Sequence, residues 1–264
     1  MRKGGNWRFM ICDLHVHTHH SIDSKEKIDA YCRMALQTGV DCLCFTDHVD
    51  NNPNDVGLGY YHVEKYFDEL NAARKAFGNK LKLLAGIEFA EPHQYQDALM
   101  QYASKPYDMI IGSLHFWHRD LFPSDMLAQG IDAETCFESY WPAMRKAVSA
   151  GGFDVLGHFD FPKRYYQVLL YEEQTIYEIM EIAVSKHIVL EINTSSLRRG
   201  CAETMPGNAL LALYREAGGE YVTIGSDAHS PAELAADRTA AEALICRYRF
   251  TEVRFEGRCR IPVI

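Results

Sequence analysis

The sequence predicts an α/β protein in which parallel strands alternate with helices and close, or nearly close, into a barrel. Three features lead there: seven short apolar runs of strand length, helix-periodic segments between them, and no composition break that would mark a second domain. Strands joined through helices pair in parallel by right-handed crossovers, and seven such units suit a closed sheet; a doubly wound open sheet is the alternative.

The strands are expected at 7–14, 40–46, 81–89, 109–114, 153–157, 188–193 and 221–225. Between them, apolar residues recur at helical intervals. The first three such segments are 25–38, 62–76 and 93–103. Helices follow at 133–150, 172–186 and 205–217, and a seventh at 232–245 is entered through Ser230-Pro231. The irregular stretches 50–60, 116–130 and 162–170 follow strands, so they are expected around one rim of the barrel. Residues 1–264 read as one catalytic domain.

Composition narrows the function. The 264 residues are 47% hydrophobic, enough for a substantial core. The start lacks a signal-peptide pattern, since the apolar run Phe9-Met10-Ile11-Cys12 is short and Asp13 follows at once. No stretch approaches the roughly 18 apolar residues of a membrane helix, so a soluble cytoplasmic protein is expected. The eight cysteines fall mostly in strand-like and helical runs, without Cys-x-x-Cys spacing, and read as reduced thiols. A formal net charge of -9 argues against extended nucleic acid, whose binding is driven by Lys and Arg. Anionic substrates remain open, because bound cations reverse the local field. The oligomeric state is not legible.

The chemistry is written at the strand ends, where much of the set of 12 histidines collects. The first strand runs into His15-Val16-His17, whose imidazoles lie two residues apart and so share a side of an extended chain. Asp23 follows in the next loop. Later strands end in Asp47-His48, Glu88, His115, His158-Phe159-Asp160, Glu191-Ile192-Asn193 and Asp227-Ala228-His229. One rim thus receives a candidate metal ligand from almost every strand, as enzymes on barrel scaffolds require. His62, His93, His118 and His187 stand alone and read as structural. Imidazoles and carboxylates without thiolates suit zinc, manganese or ferrous iron, and nitrogen donors disfavour calcium. The candidates exceed what one tetrahedral ion uses, so at least two ions are expected. Glu88 could bridge them at roughly 3.5–4 Å with an activated water between. The alternatives are a nucleotide phosphoesterase and a non-catalytic metal protein, although a structural ion closes its coordination shell.

These motifs resemble the polymerase and histidinol phosphatase (PHP) superfamily over essentially the whole chain, and most of all its histidinol-phosphate phosphatase branch. The resemblance implies a distorted (β/α)7 barrel with three divalent ions at the C-terminal ends of the strands. It places His15, His17, Glu88 and Asp227 on the first ion, Glu88, His115 and His158 on the second, and Asp23, His48 and His229 on the third. His19 or His20 competes with Asp23. The implied reaction is hydrolysis of L-histidinol phosphate in histidine biosynthesis, by in-line attack of an activated water. Asp160 either orients that water or supports a histidine ligand, and His229 could influence leaving-group protonation. Arg198, followed by Arg164, is expected to hold phosphate through its guanidinium fork. Trp117 could stack on the substrate ring, while Asp55, Glu91 or Glu191 could meet its amine.

Overall fold

The computed structural model describes residues 10–263. Strands β1 (Cys12–Val16), β2 (Cys42–Val49), β3 (Lys82–Ala90), β4 (Met109–Ser113), β5 (Val155–Leu156), β6 (Val189–Asn193) and β7 (Tyr221–Gly225) occupy the seven expected places. Residues 7–9 of the first expected strand lie outside the described residues. Helices alternate with these strands: α1 (Ile28–Thr38), α2 (Val63–Phe77), α3 (Gln96–Ala103), then, after the short α4 (Pro123–Ala128), α5 (Ala133–Ala150), and, after the short α6 (Lys163–Tyr166), α7 (Glu173–Ser185). The short α8 (Ser195–Arg198) precedes α9 (Asn208–Glu216), and a 3-10 turn at Pro231–Glu233 precedes α10 (Arg238–Tyr248). The sheet is mostly parallel, and each strand pairs with its neighbour in sequence. The end of β1 also meets the segment after β7: His17 N donates to Ala228 O at 2.9 Å and Ala228 N to His15 O at 3.3 Å.

Period-2 alternation divides each strand between two buried layers. Leu43, Phe45, Ala85, Ile87, Ile110, Leu190 and Ile192 pack toward the helices. Cys12, Leu14, Cys42, Cys44, Leu84, Ile111, Val155 and Val189 pack on the other face, against one another. This accounts for the strand cysteines, which act as small apolar residues there. All eight cysteines lie among the described residues and are free. Following the inner rows toward the strand C-termini leads from Cys44 to His48, from Leu84 to Glu88 and from Val189 to Glu191.

On β1 the same row would miss the rim, because His15 has the opposite parity to Cys12 and Leu14. The pairing with β2 shifts by one between Asp13 and Val16, so three steps on β1 oppose two on β2. This bulge rotates His15 and His17 onto the inner face.

Three expectations change. The helix expected at 205–217 begins only at Asn208, since Met205 exchanges two backbone hydrogen bonds with Asn193. The expected helix 232–245 is divided, because Asp237 adopts a left-handed conformation, φ 58°, between the 3-10 turn and α10. A C-terminal hairpin, β8 (Thr251–Glu256) and β9 (Cys259–Pro262), went unanticipated. β8 pairs in parallel with β7, and the two-residue loop Gly257-Arg258 has both φ angles positive, as a tight hairpin turn requires. Among the described residues, no helix is long and apolar enough to cross a membrane.

Arg238 ties α10 to the sheet. Its buried guanidinium donates to Cys12 O and Glu242, and from Nη2 to both carboxylate oxygens of Glu252 of β8 at 2.9 and 2.6 Å. Removing one partner of a buried pair leaves the other charge uncompensated. Arg238→Ala is therefore expected to lower stability by about 3–5 kcal/mol, measured by equilibrium urea unfolding; a loss below about 1 kcal/mol, the range of a surface pair, would contradict this role.

Candidate metal centre

Glu88, at the rim end of β3, is the point on which the strand-end side chains converge. Its Oε2 lies 3.3 Å from His15 Nε2, 3.4 Å from His17 Nε2 and 3.1 Å from His48 Nδ1. Its Oε1 lies 2.7 Å from His158 Nε2 and 3.4 Å from His115 Nε2. Asp227 Oδ1 stands 3.4 Å from His17 Nε2 and 3.5 Å from His229 Nδ1. Asp23 Oδ2 completes the far side, 2.9 Å from His229 Nε2 and 3.5 Å from His48 Nε2. The nine predicted ligands therefore form one continuous cluster. His19 and His20 turn away from it toward Glu69.

The groups behind these rings set their tautomers. Glu191 Oε1 meets His15 Nδ1 at 2.6 Å, and since a carboxylate only accepts, that nitrogen carries the proton and Nε2 presents its lone pair. Ser21 Oγ donates to Asp47 and accepts from His48 N, so it also accepts from His17 Nδ1 at 3.1 Å, again freeing Nε2. The two Nε2 atoms then face each other at 2.9 Å with carboxylate oxygens around them. With both rings neutral, acceptors converge there without a donor, which a cation or a proton resolves. Metal bonds of about 2.1 Å at roughly tetrahedral to right angles put donor atoms about 3.0–3.4 Å apart, the spacing found around Glu88 Oε2. His48 Nδ1, buried and facing Glu88, makes no hydrogen bond at all. The donor set fits divalent ions, and His/Asp/Glu groups capable of holding one recur across it.

In the protein alone, protons substitute for that charge. Burial opposes charge on His15, yet Glu191, Glu88 and Asp227 hold its pKa well above the ordinary value. Burial would likewise raise Glu88, but His15, His48 and His115 keep it well below the carboxylate range. His17, buried beside His229 and His48, is pushed down to about 3.

A cavity of about 490 Å³ opens over the cluster. Asp23, His48, Glu88, His115, His158, Asp227 and His229 line it, together with an aromatic wall in which Phe122 meets Phe116, Phe161 and Tyr165, and the acids Asp50, Asp55 and Asp125. Arg164 and Arg199 are its cations, and Arg164 Nη1 reaches Asp227 Oδ2 at 3.3 Å.

Other expected residues lie outside this lining. Arg198 donates to Ser226 O at 2.6 Å, bracing the loop that carries Asp227. Trp117 packs edge-on against Tyr140 and donates to Cys136 O. Asp160 is fully buried with its Oδ2 2.6 Å from Lys163 Nζ, which also donates to Thr204 O. Burial raises the Asp160 pKa, against the pull of Lys163. Glu91 accepts from the backbone of His115 and Phe116, and Glu191 from His158 N and Asn193, so both hold the rim together, and neither lines the cavity. Asp55 does line the cavity. Arg199 was missed, with only its adjacency to Arg198 as a signal.

The PHP domain family model matches residues 13–195 of this chain. A probable histidinol-phosphatase of Clostridium acetobutylicum is 30% identical over 231 residues, covering 83% of this chain and 87% of that protein. The histidinol-phosphatase of Lactococcus lactis is 26% identical over 82% of this chain and 83% of its own length. The crystal structure of the Lactococcus lactis histidinol phosphate phosphatase, solved with zinc, L-histidinol and phosphate, superposes with a TM-score of 0.81 at 24% identity, covering 96% of this chain and all of that one.

The packing behind His15 has no slack at Gly225, where an added Cβ would sit 2.1 Å from Glu191 Oε1 and 2.5 Å from His15 Cβ. Gly225→Ala must displace Glu191 or the His15 ring. Zinc bound per chain, measured after reloading and dialysis, is expected to fall by about half or more with the far-UV spectrum unchanged; a full wild-type content would contradict the geometry.

Proposed function

The chain belongs to the PHP family, and from that membership together with the cavity we propose that it is a metal-dependent phosphomonoesterase converting L-histidinol phosphate to L-histidinol and phosphate. One observation carries the reading: a carboxylate flanked on both oxygens by imidazoles lies in a cavity that is also lined by cationic, aromatic and acidic side chains. A phosphate, an imidazole ring and an ammonium match those side chains in turn. A nucleotide would use the aromatic wall but leave Asp50, Asp55 and Asp125 without a partner, which favours the amine-bearing ester.

Three ions of the zinc, manganese or iron class are assigned. His15, His17, Glu88 and Asp227 would hold the first; Glu88, His115 and His158 the second; Asp23, His48 and His229 the third. When bound, they neutralise phosphoryl oxygens and lower the pKa of a water to the range where it attacks phosphorus at neutral pH. The chain supplies the rest. Arg164 and Arg199 bind the phosphoryl oxygens by charge-assisted hydrogen bonds. His229 donates from Nδ1 to Asp227 O at 3.0 Å, so it presents Nε2 as a lone pair and is not the proton donor to the leaving alcohol. Asp160, paired with Lys163, positions the segment between His158 and Arg164 and does not touch the water. The aromatic wall excludes solvent and seats the ring.

The bridge between the end of β1 and Ala228 supports closure as a distorted (β/α)7 barrel, with β8 and β9 outside it and residues 1–264 acting as one domain. The substrate places the reaction in cytoplasmic histidine biosynthesis.

Phosphate release by the metal-loaded protein tests the proposal. The kcat/KM for L-histidinol phosphate is expected to exceed that for nucleoside monophosphates and an aryl phosphate by at least about a hundred-fold, or roughly 2.7 kcal/mol. Equal slow rates, or a nucleotide preference, would sink the substrate while leaving a metallophosphoesterase. Removing a charged hydrogen-bond donor costs about 1.5–3 kcal/mol. Arg199→Ala is therefore expected to reduce kcat/KM about ten-fold or more, mainly through KM, and an unchanged KM would remove Arg199 from the phosphate site.

A further inference from the structure

Beside the main centre, His19, His20 and Glu69 direct two imidazole nitrogens and a carboxylate oxygen at one point. Glu69 Oε2 lies 2.5 Å from His19 Nε2 and 3.0 Å from His20 Nε2. Consecutive residues of an extended chain point to opposite sides, so this convergence needs a turn. Ser21 N donates to Thr18 O at 2.8 Å, and Asp47 accepts from both Thr18 and Ser21, which fixes that turn with the two histidines at its centre. Glu69, on α2, is fixed from behind, because its Oε1 accepts from Ile28 N at the start of α1. The His20 ring is buried edge-on against Tyr66, whereas His19 and Glu69 are 34% and 25% exposed, leaving a path from solvent and room for water ligands. Burial would raise the Glu69 carboxyl, but His20 and His19 hold it down to about 2, so it is ionised at neutral pH.

We propose that His19, His20 and Glu69 bind one divalent transition-metal ion of the zinc, copper or nickel type, separate from the centre built on Glu88. Two imidazoles and one carboxylate suit these ions and not magnesium or calcium, which take oxygen shells. On binding, both Nε2 protons are displaced, and the present contacts of 2.5 and 3.0 Å open toward the roughly 3.0–3.4 Å between ligands of one ion. With three protein ligands and open solvent positions, the site is weaker than a closed four-ligand one. The ion fastens to α2 the turn that links His17 to Asp23, and so ties the main centre to the outer helices. The competing arrangement has two N–H donors sharing one carboxylate with no ion, and a metal count separates the two.

Metal-depleted wild type, Glu69→Gln and His19→Asn are brought to equilibrium dialysis against the same free zinc concentration, and zinc per chain is counted by mass spectrometry. Glu69→Gln is isosteric and keeps the acceptor for Ile28 N; His19 is partly exposed, so both variants are expected to keep the wild-type far-UV spectrum. One ion fewer per chain in both variants is the expected result. Equal counts in all three proteins would overturn the proposal and leave a hydrogen-bonded network.

Discussion

A single buried carboxylate, Glu88, governs the arrangement of the rim. It is almost wholly removed from water, and five imidazoles stand within 3.4 Å of its oxygens. Burying an ionised carboxylate costs several kcal/mol unless positive charge and hydrogen bonds offset it. The fold must therefore deliver compensating charge to this point from β1, β2, β4 and the segment after β5, and every other feature of the rim is arranged to make that delivery possible. In the protein alone, neighbouring carboxylates raise the pKa of His15, His48 and His115 against burial and so favour their charged forms; divalent ions held there would supply the charge instead.

The delivery is enforced by a ring of acids that do not face the cavity. Asp13 accepts from Ser226 and Ala235, Asp47 from Thr18 and Ser21, Glu91 from the backbone of His115 and Phe116, and Glu191 from His158 N while holding His15. Each pins a rim loop to a strand other than its own, so the ligand positions are set by neighbouring strands as much as by the chain that carries them. Local backbone energy is given up for this. Glu91, His158 and Asp227 all have positive φ, a region that costs non-glycine residues of order 1–3 kcal/mol and clusters at functional sites.

The strand-end ligands were legible because apolar runs ending in His, Asp or Glu announce both an element and its polar terminus. His15 and His17 could be paired from their spacing alone, although the bulge that turns them inward could not, since it arises from pairing with β2. Loop residues were less legible for a related reason. α8 ends at Arg198 and Arg199 caps it, so the adjacent arginines diverge: Arg198 reaches the Ser226 carbonyl and Arg199 the cavity. Nothing in the local sequence decides which. Asp160 follows the same logic, because the turn into α6 places Lys163 beside its carboxylate and draws it out of the cavity lining. The aromatic wall comes from α4, α6 and the loops around them, all read as irregular chain; its sequence signal, Phe122, Phe161 and Tyr165, is indistinguishable from core.

The central proposal is that Glu88 would serve two ions while Asp23, His48 and His229 would hold a third. Anomalous diffraction at the metal absorption edge, from crystals of the metal-loaded protein, tests it most directly. The account predicts two peaks on opposite sides of the Glu88 carboxylate within bonding distance of Oε1 and Oε2, and a third between Asp23 and His229. A single peak in a closed shell, or none within bonding distance of Glu88, would contradict it.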